Sequence, residues 1–227
     1  DARGSAVVSL TGGSTPRRLY TLLGDAEHGW RQRVDWTGVH LFWGDERHVP
    51  PDHPESNYGM AREALVRHVP VPPAQVHGMQ GELADAHAAA ASYERELREG
   101  FAAAGRSDMT FDVMLLGLGE DAHIASIFPG SHLLSRPAGT RAAAVWAPHL
   151  GAWRITLTPA ALLDARAIVM VVAGTAKANA IRAAIEDAED VPRFPAQLLR
   201  AAADRVTWIL DRAAAAQLQR PTDPRPG

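Results

Sequence analysis

The sequence contains no cysteine. That absence removes a disulfide scaffold, a thiol nucleophile, a zinc–thiolate site and an iron–sulfur cluster together, and it permits a reducing compartment. Long hydrophobic runs are missing too. The longest, residues 167–174, is far shorter than the ~20 residues that cross a bilayer. The polar opening Asp1-Ala2-Arg3-Gly4 is not a signal peptide, so no membrane partner is expected and a cytoplasmic location is. An excess of positive charge is also lacking. Lysine and arginine total 23 against 26 acidic residues, a net charge of -3, which offers no general attraction for nucleic acid; any anion site has to be local. Lysine itself is nearly absent, Lys177 being the single one.

What remains is an ordinary globular balance, 46% hydrophobic and 22% charged over 227 residues, too apolar for a disordered chain. A chain of this length buries about 70% of its unfolded surface and needs no metal for stability. One domain over residues 1–220 is expected, with 221–227 as a frayed tail. The chain begins without methionine and almost directly in an apolar stretch, and further native residues upstream are expected.

Apolar, branched runs at residues 6–10, 39–43, 111–116, 155–157, 168–173 and 206–210 predict buried strands. Helical patterns lie at 16–23, 57–69, 83–104, 176–188 and 196–203. This alternation predicts an α/β fold, a mostly parallel sheet with helices on both faces. In such sheets ligands bind outside the carboxyl ends of the strands, near a topological switch point. Chemistry is therefore sought in the loops that follow strands.

Four such loops stand out. Thr11-Gly12-Gly13-Ser14-Thr15-Pro16 leaves a strand and opens a helix: the glycines let backbone amides approach a ligand, Ser14 or Thr15 is able to cap, and the helix dipole favours an anion. A plain, well-capped connection has the same spelling. Trp43-Gly44-Asp45-Glu46-Arg47-His48-Val49-Pro50, continuing to Ser56-Asn57, clusters charge at a strand end, where Arg47 suits a phosphate and Asp45 or Glu46 a hydroxyl or a proton; a solvated loop is the bland alternative. His48 and His53 do not form a known metal-ligand spacing, and no metal is expected. In Leu116-Gly117-Leu118-Gly119-Glu120-Asp121-Ala122-His123 the glycines imitate a dinucleotide fingerprint. That pattern requires an acidic residue about 20 positions on, and none occurs between Asp121 and Asp164. The better reading is a tight turn that presents Asp121 and His123, the carboxylate fixing the imidazole tautomer and freeing the other nitrogen as a base. In Gly174-Thr175-Ala176-Lys177 a lysine opens a helix against the dipole. A bound phosphate explains it; so does a lysine extended into water.

Together these blocks resemble the 6-phosphogluconolactonase family. The similarity runs in order over roughly residues 7–210, through Gly-Gly-Ser-Thr-Pro, Trp-x-Asp-Glu-Arg-x-Val-Pro with Ser-Asn, Leu-Gly-x-Gly-x-Asp-x-His-x-Ala-Ser-x-Phe-Pro-Gly, Arg154-Ile155-Thr156-Leu157-Thr158, Gly174-x-x-Lys177, and Pro192 with Pro195. The resemblance implies a modified Rossmann-like fold shared with glucosamine-6-phosphate deaminases, hydrolysis of a sugar-phosphate lactone, and no cofactor. It implies His123 as the base and Asp121 as its orienting carboxylate. Substrate binding falls to Gly12, Gly13, Ser14, Thr15, Asp45, Arg47, Asn57, Arg154 and Lys177, with Asn57 or backbone amides facing the oxyanion. Monomer and dimer both remain open.

Two positions depart from the family, Ala122 for its glycine and Ile124 for its threonine. If the first requires positive φ, alanine strains the loop by roughly 1 kcal/mol. Histidine followed by isoleucine is the deaminase spelling. Deaminases, however, place a carboxylate where this chain has Phe128 and an aromatic where it has Arg47. A binding module without catalysis is the third reading.

Overall fold

In the computed structural model, which describes residues 4–135 and 139–219, the chain runs β1 (Ala6–Leu10), α1 (Ser14–Gly24), β2 (Val39–Trp43), β3 (Asp45–Arg47), α2 (Asn57–Ala64), β4 (Val76–His77), α3 (Ala86–Ala103), β5 (Val113–Leu116), β6 (Ala142–Ala147), β7 (Ala152–Leu157), α4 (Pro159–Leu163), β8 (Ile168–Val172), α5 (Ala178–Ile185) and β9 (Val206–Leu210), with 3-10 turns between. Residues 221–227, read from the sequence as a tail, lie outside the described residues.

Six strands pair in the order β4-β2-β1-β5-β8-β9, every pairing parallel. The chain builds outward from β1 through β2 to β4, then crosses to the other side of β1 and builds outward again through β5, β8 and β9. The switch point therefore falls between β1 and β5, and the two loops that leave those strands flank it. Val7, Leu41, Phe42, Trp43, Met114, Leu116, Ile168 and Met170 are buried along the strands and belong to one continuous core. Each large apolar side chain enclosed there contributes about 1.5–3 kcal/mol.

A second sheet, β3-β7-β6, is antiparallel. It corrects two expectations. The run at 155–157 belongs to this sheet and not to the parallel one, and the charged segment after Trp43 is itself a strand. β6 escaped notice because three alanines, Ala142, Ala143 and Ala144, open it and alanine carries no preference for strand. The sheet is locked to the first at Gly44, whose N–H donates to Leu10 O (2.9 Å) and whose carbonyl accepts from Leu157 N (2.8 Å).

Helix ends shift for local reasons. α3 starts at Ala86 because the Asp85 carboxylate accepts from His87 N and Ala88 N. α2 stops at Ala64, where Leu65 leaves helical geometry at φ -134, and a 3-10 turn follows at Val66–His68. The helix expected at 176–188 is a 3-10 turn, Thr175–Lys177, leading into α5, and the one expected at 196–203 is a 3-10 segment, Pro195–Arg205, kinked at Ala202.

Two buried tyrosines finish the strand ends that matter most. Tyr20 of α1 accepts from Thr11 N and donates to Thr11 O, both at 2.9 Å. Tyr93 of α3 does the same for Trp43, again at 2.9 Å for each bond. A backbone that leaves a ladder inside the core needs partners for both of its polar groups, and one hydroxyl supplies them. Burial drives both phenols far above their ordinary range, against the opposing pull of those backbone bonds, so both remain donors.

Candidate active site

The loops after β1, β2, β5 and β8 converge on a cleft of about 250 Å³. Its wall contains Gly12, Gly13, Ser14 and Thr15 from the first loop, Asp45, Arg47 and Asn57 from the second, Gly117, Gly119 and His123 from the third, and Lys177 from the fourth. Most of the site residues expected from the sequence are thus brought together. Asp121 and Arg154 are outside that lining, each beside a residue that belongs to it, His123 and Arg47.

His123 and Asp121 form a pair. Asp121 Oδ1 lies 2.6 Å from His123 Nδ1 and also accepts from His123 N at 3.2 Å. Partial burial pushes the Asp121 carboxyl up, but the hydrogen bond and charge of His123 and the backbone N–H bonds outweigh it and bring it down to about 2. Asp121 is an anion, so Nδ1 presents its hydrogen to the carboxylate, and in the neutral imidazole the lone pair is then on Nε2. Phe128 packs on the imidazole with ring centroids 4.7 Å apart.

The loop is built around this contact. A Cβ on Gly119 would stand 2.0 Å from His123 Nδ1 and 2.5 Å from Asp121 Oδ1, so only glycine admits the pair. Gly117 and Gly119 open no helix, in keeping with the rejected dinucleotide reading. Ala122 adopts φ 63 and Ala125 φ 48, the left-handed conformation in which alanine is strained. The buried Ala122 is held there by bonds from Ala122 N to Gly119 O and from Ala196 N to Ala122 O. Ile124 and Ile127 anchor the loop in the core; an apolar side chain at 124 suits that setting. Gly130 N reaches Pro192 O at 2.7 Å, so the 190s segment buttresses the loop from behind.

The opposite side of the cleft is basic. Gly13 (φ 111) is the N-cap of α1, and no side chain caps the helix, which corrects the expectation that Ser14 or Thr15 caps it and leaves the helix terminus open to an anion. Arg47 and Arg154 are directly opposed in the β3–β7 register. Burial first and the neighbouring Arg47 second pull Arg154 below the usual guanidinium range. Its Nη1 donates to Trp153 O at 3.1 Å, whereas Arg47 Nη1 reaches Glu55 O. The Lys177 ammonium forms no ion pair among the described residues. Gly174, at φ 97, gives its N–H to Asp211, which fixes the turn that carries Lys177.

Asp45 is buried and binds Ser126 Oγ (2.7 Å) through Oδ2 and the Asn57 amide through Oδ1 and its own carbonyl. Both amide hydrogens of Asn57 are directed at Asp45, and its Oδ1 lies against Gly12, where a Cβ would approach to 1.8 Å. Asn57 thus ties two loops together, and its Nδ2 is engaged by Asp45. Glu46, read as a possible hydroxyl or proton acceptor, points away from the cleft into the protein. Ser126 and Tyr20 were not legible as parts of the site, since nothing local marks a serine or a tyrosine as the partner of a residue 81 or 9 positions away.

No three histidine, aspartate or glutamate side chains converge as a metal site among the described residues. His48 Nε2 contacts Leu83 O, and His53 Nδ1 accepts from Glu55 N. No helix among the described residues is long and apolar enough to cross a membrane.

Residues 1–208 match the family described as glucosamine-6-phosphate isomerases/6-phosphogluconolactonase. The chain is 40% identical over 221 residues to the 6-phosphogluconolactonase of Mycobacterium tuberculosis, covering 96% of this chain and 87% of that protein. It is 37% identical over 217 residues to the Synechocystis 6-phosphogluconolactonase, covering 96% and 86%. Among solved structures, the 6-phosphogluconolactonase of Trypanosoma brucei superposes with a TM-score of 0.80 at 31% identity, over 96% of this chain and 88% of that one.

Proposed function

The chain belongs to the glucosamine-6-phosphate isomerase/6-phosphogluconolactonase family, and we propose that it hydrolyses 6-phosphoglucono-δ-lactone to 6-phosphogluconate, with His123 as the general base. The observation that carries the mechanism is that His123, paired with Asp121, lines the same cleft as an uncapped helix terminus, Arg47 and Lys177. One side of the cleft moves protons and the other wants an anion. The two adjacent guanidiniums of Arg47 and Arg154 repel, and a phosphate carrying about -1.5 to -2 charge relieves that repulsion.

In this mechanism the phosphate sits on Gly12, Gly13, Ser14 and Thr15, between Arg47, with Arg154 beside it, and Lys177. Asp45 accepts a sugar hydroxyl. His123 Nε2 removes a proton from water as its oxygen bonds to the lactone carbonyl carbon, and Asp121 stabilises the imidazolium that forms. Backbone amides receive the oxyanion. When the intermediate collapses, the bond from that carbon to the ring oxygen breaks, and the ring oxygen takes the proton back from Nε2. Residues 1–220 act as one lactonase domain in the cytoplasm.

The test is acid release from enzymatically generated lactone. The wild-type chain turns over, and His123→Ala loses at least ~10²-fold in kcat. Tight binding of 6-phosphogluconate without hydrolysis would instead reveal a binding module. Ammonia release from glucosamine 6-phosphate would support a deaminase, which the names of the relatives, Phe128 and Arg47 all speak against.

A further inference from the structure

Glu46 is the least exposed carboxylate among the described residues, at 2%, and the lactonase mechanism gives it nothing to do. Its Oε1 accepts from Arg47 N (2.8 Å) and Asn57 N (2.7 Å), and its Oε2 from Tyr58 N (2.7 Å) and Ser56 Oγ (3.1 Å). Among the described residues it forms no ion pair with lysine, arginine or histidine. A buried anion without a counterion is costly unless several dipoles replace the lost water. Here three backbone amides, two of them at the start of α2, and one hydroxyl supply them.

The four donors have a common geography. Residues 47–57 leave β3 and return to α2, and the carboxylate grips both ends: Arg47 as the chain departs, Ser56, Asn57 and Tyr58 as it comes back. The two end residues, Arg47 and Asn57, are the ones whose side chains line the cleft. A helix cap alone does not account for this. α2 already has one in Ser56, whose Oγ accepts from Gly59 N at 2.9 Å, and a cap for α2 has no reason to hold Arg47 N.

We propose that Glu46 is a positioning residue for the phosphate side of the cleft, closing the neck of the 47–57 loop so that Arg47 and Asn57 are held in binding geometry. The inference rests on the reading of Arg47 as a phosphate ligand. The chemistry demands a carboxylate. Four donors need acceptor lone pairs on both oxygens; glutamine turns an NH₂ toward two of them, and aspartate is one methylene short of spanning both ends of the loop.

The experiment measures KM for the lactone and inhibition by 6-phosphogluconate and by inorganic phosphate for the full chain and for Glu46→Gln, Arg47→Ala and the double variant, with circular dichroism as the check of fold. Glu46→Gln is expected to raise KM and both inhibition constants about tenfold and to change kcat less than about threefold, because His123 and Asp121 ride on another loop. In the Arg47→Ala background the same change is expected to add less than about twofold, since two residues acting through one contact are not additive. Unchanged inhibition constants in a folded Glu46→Gln, a loss confined to kcat, or full multiplicativity in the double variant overturns the proposal. If Glu46→Gln does not fold, Ser56→Ala removes one of the four donors, and both inhibition constants are then expected to rise two- to threefold; no change there overturns it as well. An Arg47→Ala variant that binds phosphate normally brings down the phosphate reading itself, whereas a weakened Arg47→Ala beside an unaffected Glu46→Gln brings down only the role given to Glu46.

Discussion

Tyr20→Phe removes one oxygen and almost no volume, so its cost comes from hydrogen bonding. In the native protein that oxygen serves both polar groups of Thr11, at 2.9 Å each, and Thr11 is only 5% exposed. The variant leaves a buried N–H and a buried C=O unpaired, each worth about 1–3 kcal/mol. Allowing for partial relaxation, the expected loss is about 2–4 kcal/mol, which for a protein of this size lowers the melting midpoint by roughly 5–15 °C. Urea unfolding followed by circular dichroism measures it as a fall in the midpoint at constant slope. Thr11 immediately precedes Gly12 and Gly13, so KM for the lactone is expected to rise a few-fold while kcat holds. Tyr93→Phe makes the same deletion at Trp43 and provides an internal comparison with a similar loss of stability. If Tyr20→Phe stays within about 0.5 kcal/mol of wild type, the unpaired groups have found other partners and the argument fails.

Other expectations follow from the same geometry. Gly119→Ala places a methyl 2.0 Å from His123 Nδ1, and kcat is expected to drop at least ~10²-fold with the fold retained; wild-type turnover would show that the pair tolerates displacement. Asp121→Asn is expected to lower kcat by about 10²–10⁴. Because Asp121 is brought down to about 2, a kinetic break near pH 4 that vanishes in Asp121→Asn would contradict its assignment as a constant anion. Burial first and His77 second hold His40 below the ordinary histidine range, so the native state binds fewer protons there than the unfolded chain, whose value is about 6.5. That contribution to stability is present above the unfolded value and lost as pH falls through the folded one. Melting midpoints at pH 7.5 and 5.5 are expected to differ less in His40→Asn than in wild type. Ala122→Gly relieves about 1–2 kcal/mol of left-handed strain but gives up a buried methyl worth about 0.8 kcal/mol and adds about 0.4–1 kcal/mol of unfolded-state entropy, so urea unfolding is expected to move by less than about 1 kcal/mol; a larger shift in either direction would mean that one of these terms is misjudged.

Five of the six parallel strands were legible as apolar runs, and the loops that follow were legible because glycine and proline punctuate them; β4, two residues long, is too short to show a run, and β9, expected to be buried, is an edge strand with no buried residue and Thr207 and Ile209 exposed. β3 was not legible either. Asp45, Glu46 and Arg47 carry no strand preference, and they pair only because Ile155 and Arg154 lie alongside. Arg154 was foreseen as a helper and stands beside Arg47, a placement set by register across 107 positions of sequence.

Local chemistry therefore determined which residue types gather at the strand ends: an imidazole beside a carboxylate, two basic groups and a glycine turn that leads into a helix. Those choices are made over a few positions, where sterics and hydrogen-bonding capacity act between neighbours. The tertiary structure alone decided the rest. Crossing over between β1 and β5 set the glycine loop beside His123, packing turned Glu46 inward and gave Tyr20 to Thr11, and strand register set Arg47 against Arg154. Such contacts join residues far apart in sequence. They depend on shape and burial in the folded chain, and a single strand of letters does not encode them one position at a time.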